Sequence, residues 1–285
     1  MGSALEGYLR LLGFEDPPSP TLSTLVALHR AHLRALPYEN LGIMLGRPPS
    51  AAPTATVERI ATVGRAGYCF HHNGALEMLL SSLGFAVRRW HGQVFDGADA
   101  DGSPPSLNHL VLEVSGLPSP DNPGGRWWAD AGLGDGFLDP VPLVDGPHRQ
   151  HGFHYSVSLS EDGWTFRHDP AGSFSGVRVR DLPAGDAEVG SAHDTLALTP
   201  GGHFTRFLVV QRRGRTGVDA LRGCVLERVE PGRRERTDVT SFDDWRGALT
   251  GVLGLPLDDL PAADVTGLWE RTLATHRAWD LAGRP

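Results

Sequence analysis

The sequence predicts an α+β fold laid out in three consecutive sections, and three observations carry that prediction. Up to residue 85 the apolar residues recur mainly at helical spacing. From 86 to 198 they gather in short β-branched and aromatic runs broken by Gly, Pro, Asp and Ser. Over 199–285 the two patterns mix.

In the first section, residues 4–12 read as a short helix. Pro17, Pro18 and Pro20 break it, and Thr21 is placed to cap a second helix in which Leu22, Leu25, Val26, His29, Leu33 and Leu36 share a face before Pro37. His29 on that face reads as a hydrogen-bonded core histidine. Residues 57–63 form a third helical piece, and a fourth helix starts at Cys69 with Leu76, Leu79, Leu80 and Leu83 as its apolar stripe. In the middle section the candidate strands are 87–95, 107–114, 126–129, 155–159, 164–168 and 177–180. Turns at 99–105, 118–125 and 161–163 separate them, as expected of a small barrel or sandwich. In the last section 207–211 and 224–229 read as strands, and 241–249, 257–260 and 265–281 as helices.

Composition narrows the function. All 26 basic residues are arginine, so Schiff-base and P-loop lysine mechanisms are excluded. A net charge of −8 argues against nucleic acid as a partner. The clusters Arg212/Arg213/Arg215 and Arg233/Arg234/Arg236 read as solvated turns. No apolar run reaches the ~18 residues of a membrane span, and the start of the sequence lacks the charged and apolar regions of a signal peptide. The two cysteines, Cys69 and Cys224, make no disulfide framework; a reducing cytoplasm is the expected location.

The chemistry centres on Arg65-Ala66-Gly67-Tyr68-Cys69-Phe70-His71-His72-Asn73. A Gly-Tyr turn delivers Cys69 to the first turn of a helix, where unpaired N–H groups and the positive end of the dipole favour a thiolate. A cysteine nucleophile needs a base and a group to orient it. His109, on a strand whose face it shares with Leu107, Val111 and Glu113, is the candidate base. Asp130, at a strand end before the glycine turn 131–136, is the candidate orienting acid.

These segments, with Asn108-His109-Leu110 and Trp128-Ala129-Asp130-Ala131-Gly132-Leu133-Gly134, resemble the arylamine N-acetyltransferase family. That family presents its cysteine in an Arg-Gly-Gly-aromatic-Cys-aromatic-Glu setting and its aspartate in an Asp-Val-Gly-Phe-Gly setting. Tyr8–Gly13, Pro20–Leu22, Leu36–Leu41 and Phe137–Leu143 are similar to the family as well, and the likeness loosens beyond about residue 155. The resemblance implies a helical bundle over 1–85 carrying the nucleophile, a β-barrel over 86–198 carrying histidine and aspartate, and an α/β lid over 199–285. It implies a cysteine-protease-like triad of Cys69, His109 and Asp130. The reaction it implies is ping-pong: acetyl-CoA, a co-substrate rather than a tightly bound cofactor, acylates Cys69. An arylamine, arylhydrazine or N-hydroxyarylamine then takes the acetyl group. Phe70, Val94, Leu133 and Phe204 would form the acceptor pocket, and Gly134 would let the thioester approach. The same triad also serves amide synthases that release a polyketide chain as a macrolactam from a carrier-protein thioester, which is the alternative. A cysteine peptidase or transglutaminase, or a binding module that keeps the fold, are further readings.

Three residues depart from the family pattern. Ala66 replaces a glycine, so the turn must accept a methyl group. His71 replaces a glutamate that reads as a structural partner, of Arg65 for example; a protonated His71 would instead support the thiolate. Leu133 replaces a phenylalanine and softens the pocket. Elsewhere, Gly132-Leu133-Gly134-Asp135-Gly136 mimics a dinucleotide fingerprint but leads into no helix. His148, His151 and His154 lack accompanying cysteines or an acidic cluster, so no metal is expected. Cys224 reads as a packed thiol, and Trp127 and Trp128 as core or barrel wall.

Overall fold

The structure is a computed structural model that describes residues 2–97 and 106–283. The predicted turn at 99–105 lies outside the described residues. Helices α1 (Ser3–Leu11), α2 (Leu22–Ala35), α4 (Pro53–Val63) and α5 (Cys69–Ser82) match the four predicted ones, and Thr21 caps α2 by accepting the Thr24 N–H at 3.2 Å. Between α2 and α4 lie two short elements the pattern did not reveal, β1 (Tyr38–Glu39) and α3 (Leu41–Met44).

The middle of the chain forms an eight-stranded, nearly closed antiparallel barrel. Its strands are β2 (Ala86–Phe95), β3 (His109–Ser115), β4 (Trp127–Ala129), β5 (Val141–Pro142), β6 (Gly146–Gln150), β7 (Phe153–Ser160), β8 (Gly163–Arg167) and β9 (Gly176–Pro183), in the order β5-β4-β3-β2-β9-β8-β7-β6. Trp90, Val111, Trp128, Phe137, Tyr155 and Phe166 fill its interior. Strand β3 is buried on both faces: Val111 points into the barrel core, while Leu110, Leu112 and Val114 pack with α5 and the helical section. That sandwiching holds β3 rigid against the start of α5.

Helices α6 (Asp186–Leu198) and α7 (His203–Arg206) then lead into a second sheet of β10 (Val209–Arg213), β11 (Val218–Arg222), β12 (Val225–Glu230) and β13 (Arg233–Asp238). Its order is β1-β10-β11-β12-β13, so residues 38–39 of the helical section supply one edge. Helix α8 (Phe242–Gly247), a π-helical turn at Ala248–Val252 and α9 (Ala262–Leu281) cover one face, around Trp245, Leu249 and Trp269.

Two expectations fail here. Residues 257–260 form a turn closed by Leu260 N–H to Leu257 O at 3.0 Å, because Pro256 and Pro261 bracket them and leave no room for a helix. The two arginine clusters lie on or beside β10 and on β13, and Arg213 is buried, donating to the carbonyls of Gly136, Gly214 and Gly217. Among the described residues no helix is long and apolar enough to cross a membrane.

A chain of buried imidazoles joins the helices. The Tyr8 hydroxyl meets His32 Nδ1, and His32 Nε2 lies 2.7 Å from His72 Nδ1, which ties α1 to α2 and α5. Burial pushes His32 well below its ordinary value and His72 down to about 4, so both are neutral in the folded protein. The unfolded chain protonates these rings near pH 6.5 while the folded chain does not. Stability is therefore complete above about pH 6.5 and is lost as pH falls from there towards 4. The urea midpoint is expected to drop steadily between pH 7 and pH 5, with each neutral histidine contributing up to about 1.4 kcal/mol per pH unit. A midpoint independent of pH in that window would contradict the assignment.

Candidate active site

The turn before α5 is built for one purpose, to bring Cys69 out at the first helical position. Gly67 sits at φ +129°, and a Cβ there would lie 2.5 Å from the His71 ring, so only glycine fits. Its carbonyl accepts the Glu39 N–H at 2.7 Å, tying the turn to β1. Tyr68 is extended at the N-cap, and its N–H donates to His71 Nδ1 at 3.3 Å. His71 thus takes the third-position role that a glutamate plays in a capping box. Its other nitrogen, Nε2, lies 3.2 Å from the Pro49 carbonyl. Burial, with a lesser contribution from neighbouring His193, lowers His71 to about 3, so it is neutral and lends no positive charge to Cys69. Arg65 does not meet His71; it pairs with Asp259 from the 257–260 turn. Ala66 is fully buried at a φ that is not positive, which explains why a methyl group is accepted.

Cys69, His109 and Asp130 are brought together. The Cys69 Sγ is 3.9 Å from the Asn108 carbonyl, beside His109 at the head of β3. His109 Nε2 lies 2.7 Å from Asp130 Oδ2, which leaves Nδ1 for the thiol. Burial alone would depress the His109 imidazole, but the Asp130 carboxylate and then Cys69 outweigh it and raise it to about 10. The ring therefore carries its proton at neutral pH. Asp130 accepts three further hydrogen bonds: Trp128 Nε1 at 3.0 Å, Asn73 Nδ2 at 2.8 Å and Gly132 N–H at 2.9 Å. Its own N–H donates to His29 Nε2 at 3.1 Å, and His29 Nδ1 lies 2.9 Å from the Leu138 carbonyl, so His29 is the bonded core histidine expected.

The sequence pattern assigns no role to Asn73. It is one helical turn below Cys69 on the same face, the spacing that could have signalled it. Its Nδ2 also donates to the Leu110 carbonyl at 2.6 Å, and its Oδ1 accepts the Ala131 N–H at 2.9 Å. Gly132 packs directly on Cys69; a Cβ would come within 2.8 Å of the Cys69 Cα. Gly134 adopts φ +71°, and the Gln211 side chain occupies the space a Cβ would need.

The residues read as an acceptor pocket are divided. Phe70 and Phe204 both meet the Tyr68 ring edge-on, at 5.7 and 5.0 Å. Val94 and Leu133 pack with the barrel core. The Tyr68 hydroxyl reaches His193 Nδ1 of α6 at 2.8 Å, a partner the sequence did not indicate. Cys224 is buried between the second sheet and its covering helices, and burial pushes its thiol up to about 11. His148, His151 and His154 go separate ways, to the Val144 carbonyl, Asp139 and Asp169.

A family model described as N-acetyltransferase matches residues 21–261. An arylamine N-acetyltransferase of Mycolicibacterium smegmatis is 32% identical over 271 residues, 93% of this chain and 96% of that protein. A solved structure of the M. smegmatis enzyme superposes with a TM-score of 0.84 at 29% identity, covering 94% of this chain and 98% of the other. A proansamycin X synthase of Amycolatopsis mediterranei is 25% identical over 167 residues, 57% of this chain and 61% of that protein.

Two measurements test the geometry. In NMR spectra of histidine-labelled protein, His109 should titrate near pH 10, and Asp130→Asn should move that midpoint towards neutrality because the raising charge is gone. A wild-type midpoint near 6.5 would sink the arrangement. Asn73→Ala strips partners from Asp130, Leu110 and Ala131 at once, and should lower unfolding free energy by about 3 kcal/mol. An unchanged denaturation midpoint would show that Asn73 is dispensable.

Proposed function

This chain belongs to the arylamine N-acetyltransferase family, and from that premise we propose that Cys69 carries an acetyl group from acetyl-CoA to the nitrogen of an arylamine or arylhydrazine. The observation that carries the reading is the buried Cys69–His109–Asp130 array, with His109 holding the one proton shared between the cysteine sulfur and the carboxylate. In this reading residues 1–85 deliver the nucleophile, 86–198 the histidine and aspartate, and 199–285 the lid.

In the first half-reaction the Cys69 sulfur attacks the thioester carbonyl. The resulting oxyanion is stabilised by the N–H groups of Cys69 and Phe70 at the start of α5, since those of His71 and His72 already donate to the Tyr68 carbonyl. Collapse breaks the carbon–sulfur bond to CoA, and the leaving thiolate takes the proton from His109. In the second half-reaction the amine attacks acetyl-Cys69, His109 accepts its proton, and the cysteine sulfur leaves. Asp130 keeps the ring in one orientation and stabilises its charged form. Phe70, Val94, Leu133 and Phe204 are the proposed acceptor contacts, with Gly134 at the thioester. The likeness to proansamycin X synthase favours one second reading, release of a longer acyl chain as an amide by the same triad.

Intact-mass analysis after incubation with acetyl-CoA tests both. The wild type should gain one acetyl group and Cys69→Ala none, and an aromatic hydrazine should discharge the adduct. No adduct on a folded protein with a reactive thiol would rule out acetyl-CoA as donor and favour a carrier-bound thioester. His109→Ala is expected to slow turnover by about 10²–10⁴-fold.

A further inference from the structure

Away from the triad, a cavity of about 400 Å³ opens between α2 and the start of the lid sheet, walled by Arg30, Arg34, Arg212, Arg213, Arg215 and Leu138. Its acidic neighbours are already engaged. Arg30 pairs with Asp139, and Asp219, which also lines the cavity, pairs with Arg228 at 2.8 Å. Arg34, Arg212 and Arg215 have no ion pair among the described residues. Arg213 is 2% exposed and spends its hydrogen bonds on backbone carbonyls, so its charge has no carboxylate against it. Positive charge is therefore gathered at one concave place in a chain whose net charge is −8.

Like charges held together in a cleft repel one another, and the low-dielectric walls focus their field on the space between them. An anion placed there relieves the repulsion. Guanidinium forks match phosphate oxygens two at a time. Arg34 and Arg215, both without an ion pair among the described residues, line the cavity in front of the buried Arg213 charge, which suits a group of charge −2 better than a single carboxylate. The volume exceeds what chloride would fill. We propose that this cavity binds a phosphate group, as a diphosphate or a phosphate ester, at a place separate from the acyl-transfer centre. The cavity is joined to that centre by the Arg213 and His29 side chains acting on backbone groups. Arg213 Nε donates to Gly136 O at 2.8 Å, and the Leu138 carbonyl is the one His29 holds beside Asp130.

The test is isothermal titration of the full-length protein with inorganic pyrophosphate at low ionic strength. One equivalent should bind, and the double variant Arg34→Gln/Arg215→Gln, whose side chains are exposed, should weaken binding at least tenfold. Arg10→Gln, an exposed arginine on α1, should leave it unchanged. Equal binding by wild type and double variant, or none by wild type at millimolar pyrophosphate, overturns the proposal. The source of the phosphate is read from kinetics. If the double variant also raises KM for acetyl-CoA at constant kcat, the donor's own nucleotide supplies the phosphate. If KM is unchanged while pyrophosphate binding is lost, a free phosphate compound does.

Discussion

The buried Asp130 carboxylate is the constraint around which this molecule is arranged. A charge taken out of water is tolerated only when its lone pairs are satisfied. Asp130 meets that demand with four donors, from α5, β3, β4 and the glycine turn. Those elements cannot shift relative to one another without stripping the carboxylate of a partner. Its backbone N–H extends the same demand to α2 through His29. The protonated His109 is thus a consequence of packing as much as of chemistry, because burial would neutralise the ring were the carboxylate not fixed 2.7 Å away.

Much of this was legible in the sequence. The four long N-terminal helices and six of the eight barrel strands follow from periodicity, all but β5 and β6, and the triad from motif context. Helix α6 and strands β11 and β13 escaped as well, and much of the rest that escaped depends on contact between distant segments. A two-residue strand such as Tyr38–Glu39 has no period to detect, and its existence depends on pairing with Gln211 and Val210. Asn73 and the Tyr8–His32–His72 chain are polar residues whose worth lies in partners from other helices. Arg213 read as solvated because arginine usually is, and only the fold supplies the three carbonyls that receive it. The 257–260 segment shows the opposite error, where apolar spacing outvoted the prolines on either side.

The departures near the nucleophile are each absorbed locally. His71 does with one ring nitrogen what a glutamate does with a carboxylate, and burial strips it of the charge that would otherwise distinguish it. Ala66 is harmless because the positive φ belongs to its neighbour Gly67. Leu133 packs with the barrel core, so a leucine in place of the family's larger ring is taken up there and leaves the turn at Cys69 alone. The chemistry is thereby insulated from changes that could alter which acceptor is preferred.

The clamp on the Gly67 turn has a consequence for how the protein is made. Glu39 binds the Gly67 carbonyl from a strand whose sheet partners are Val210 and Gln211, and Arg65 in the same turn waits for Asp259. A ribosome that has delivered the helices and the barrel has therefore exposed every member of the triad but not the segments that lock the turn. Loops closed over so many residues form late, since the entropy of closing them must be met before any contact rewards it. The nascent chain holds its cysteine in a loosely defined turn until the last section emerges, and a product cut short before residue 210 would keep the thiol without the frame that aims it.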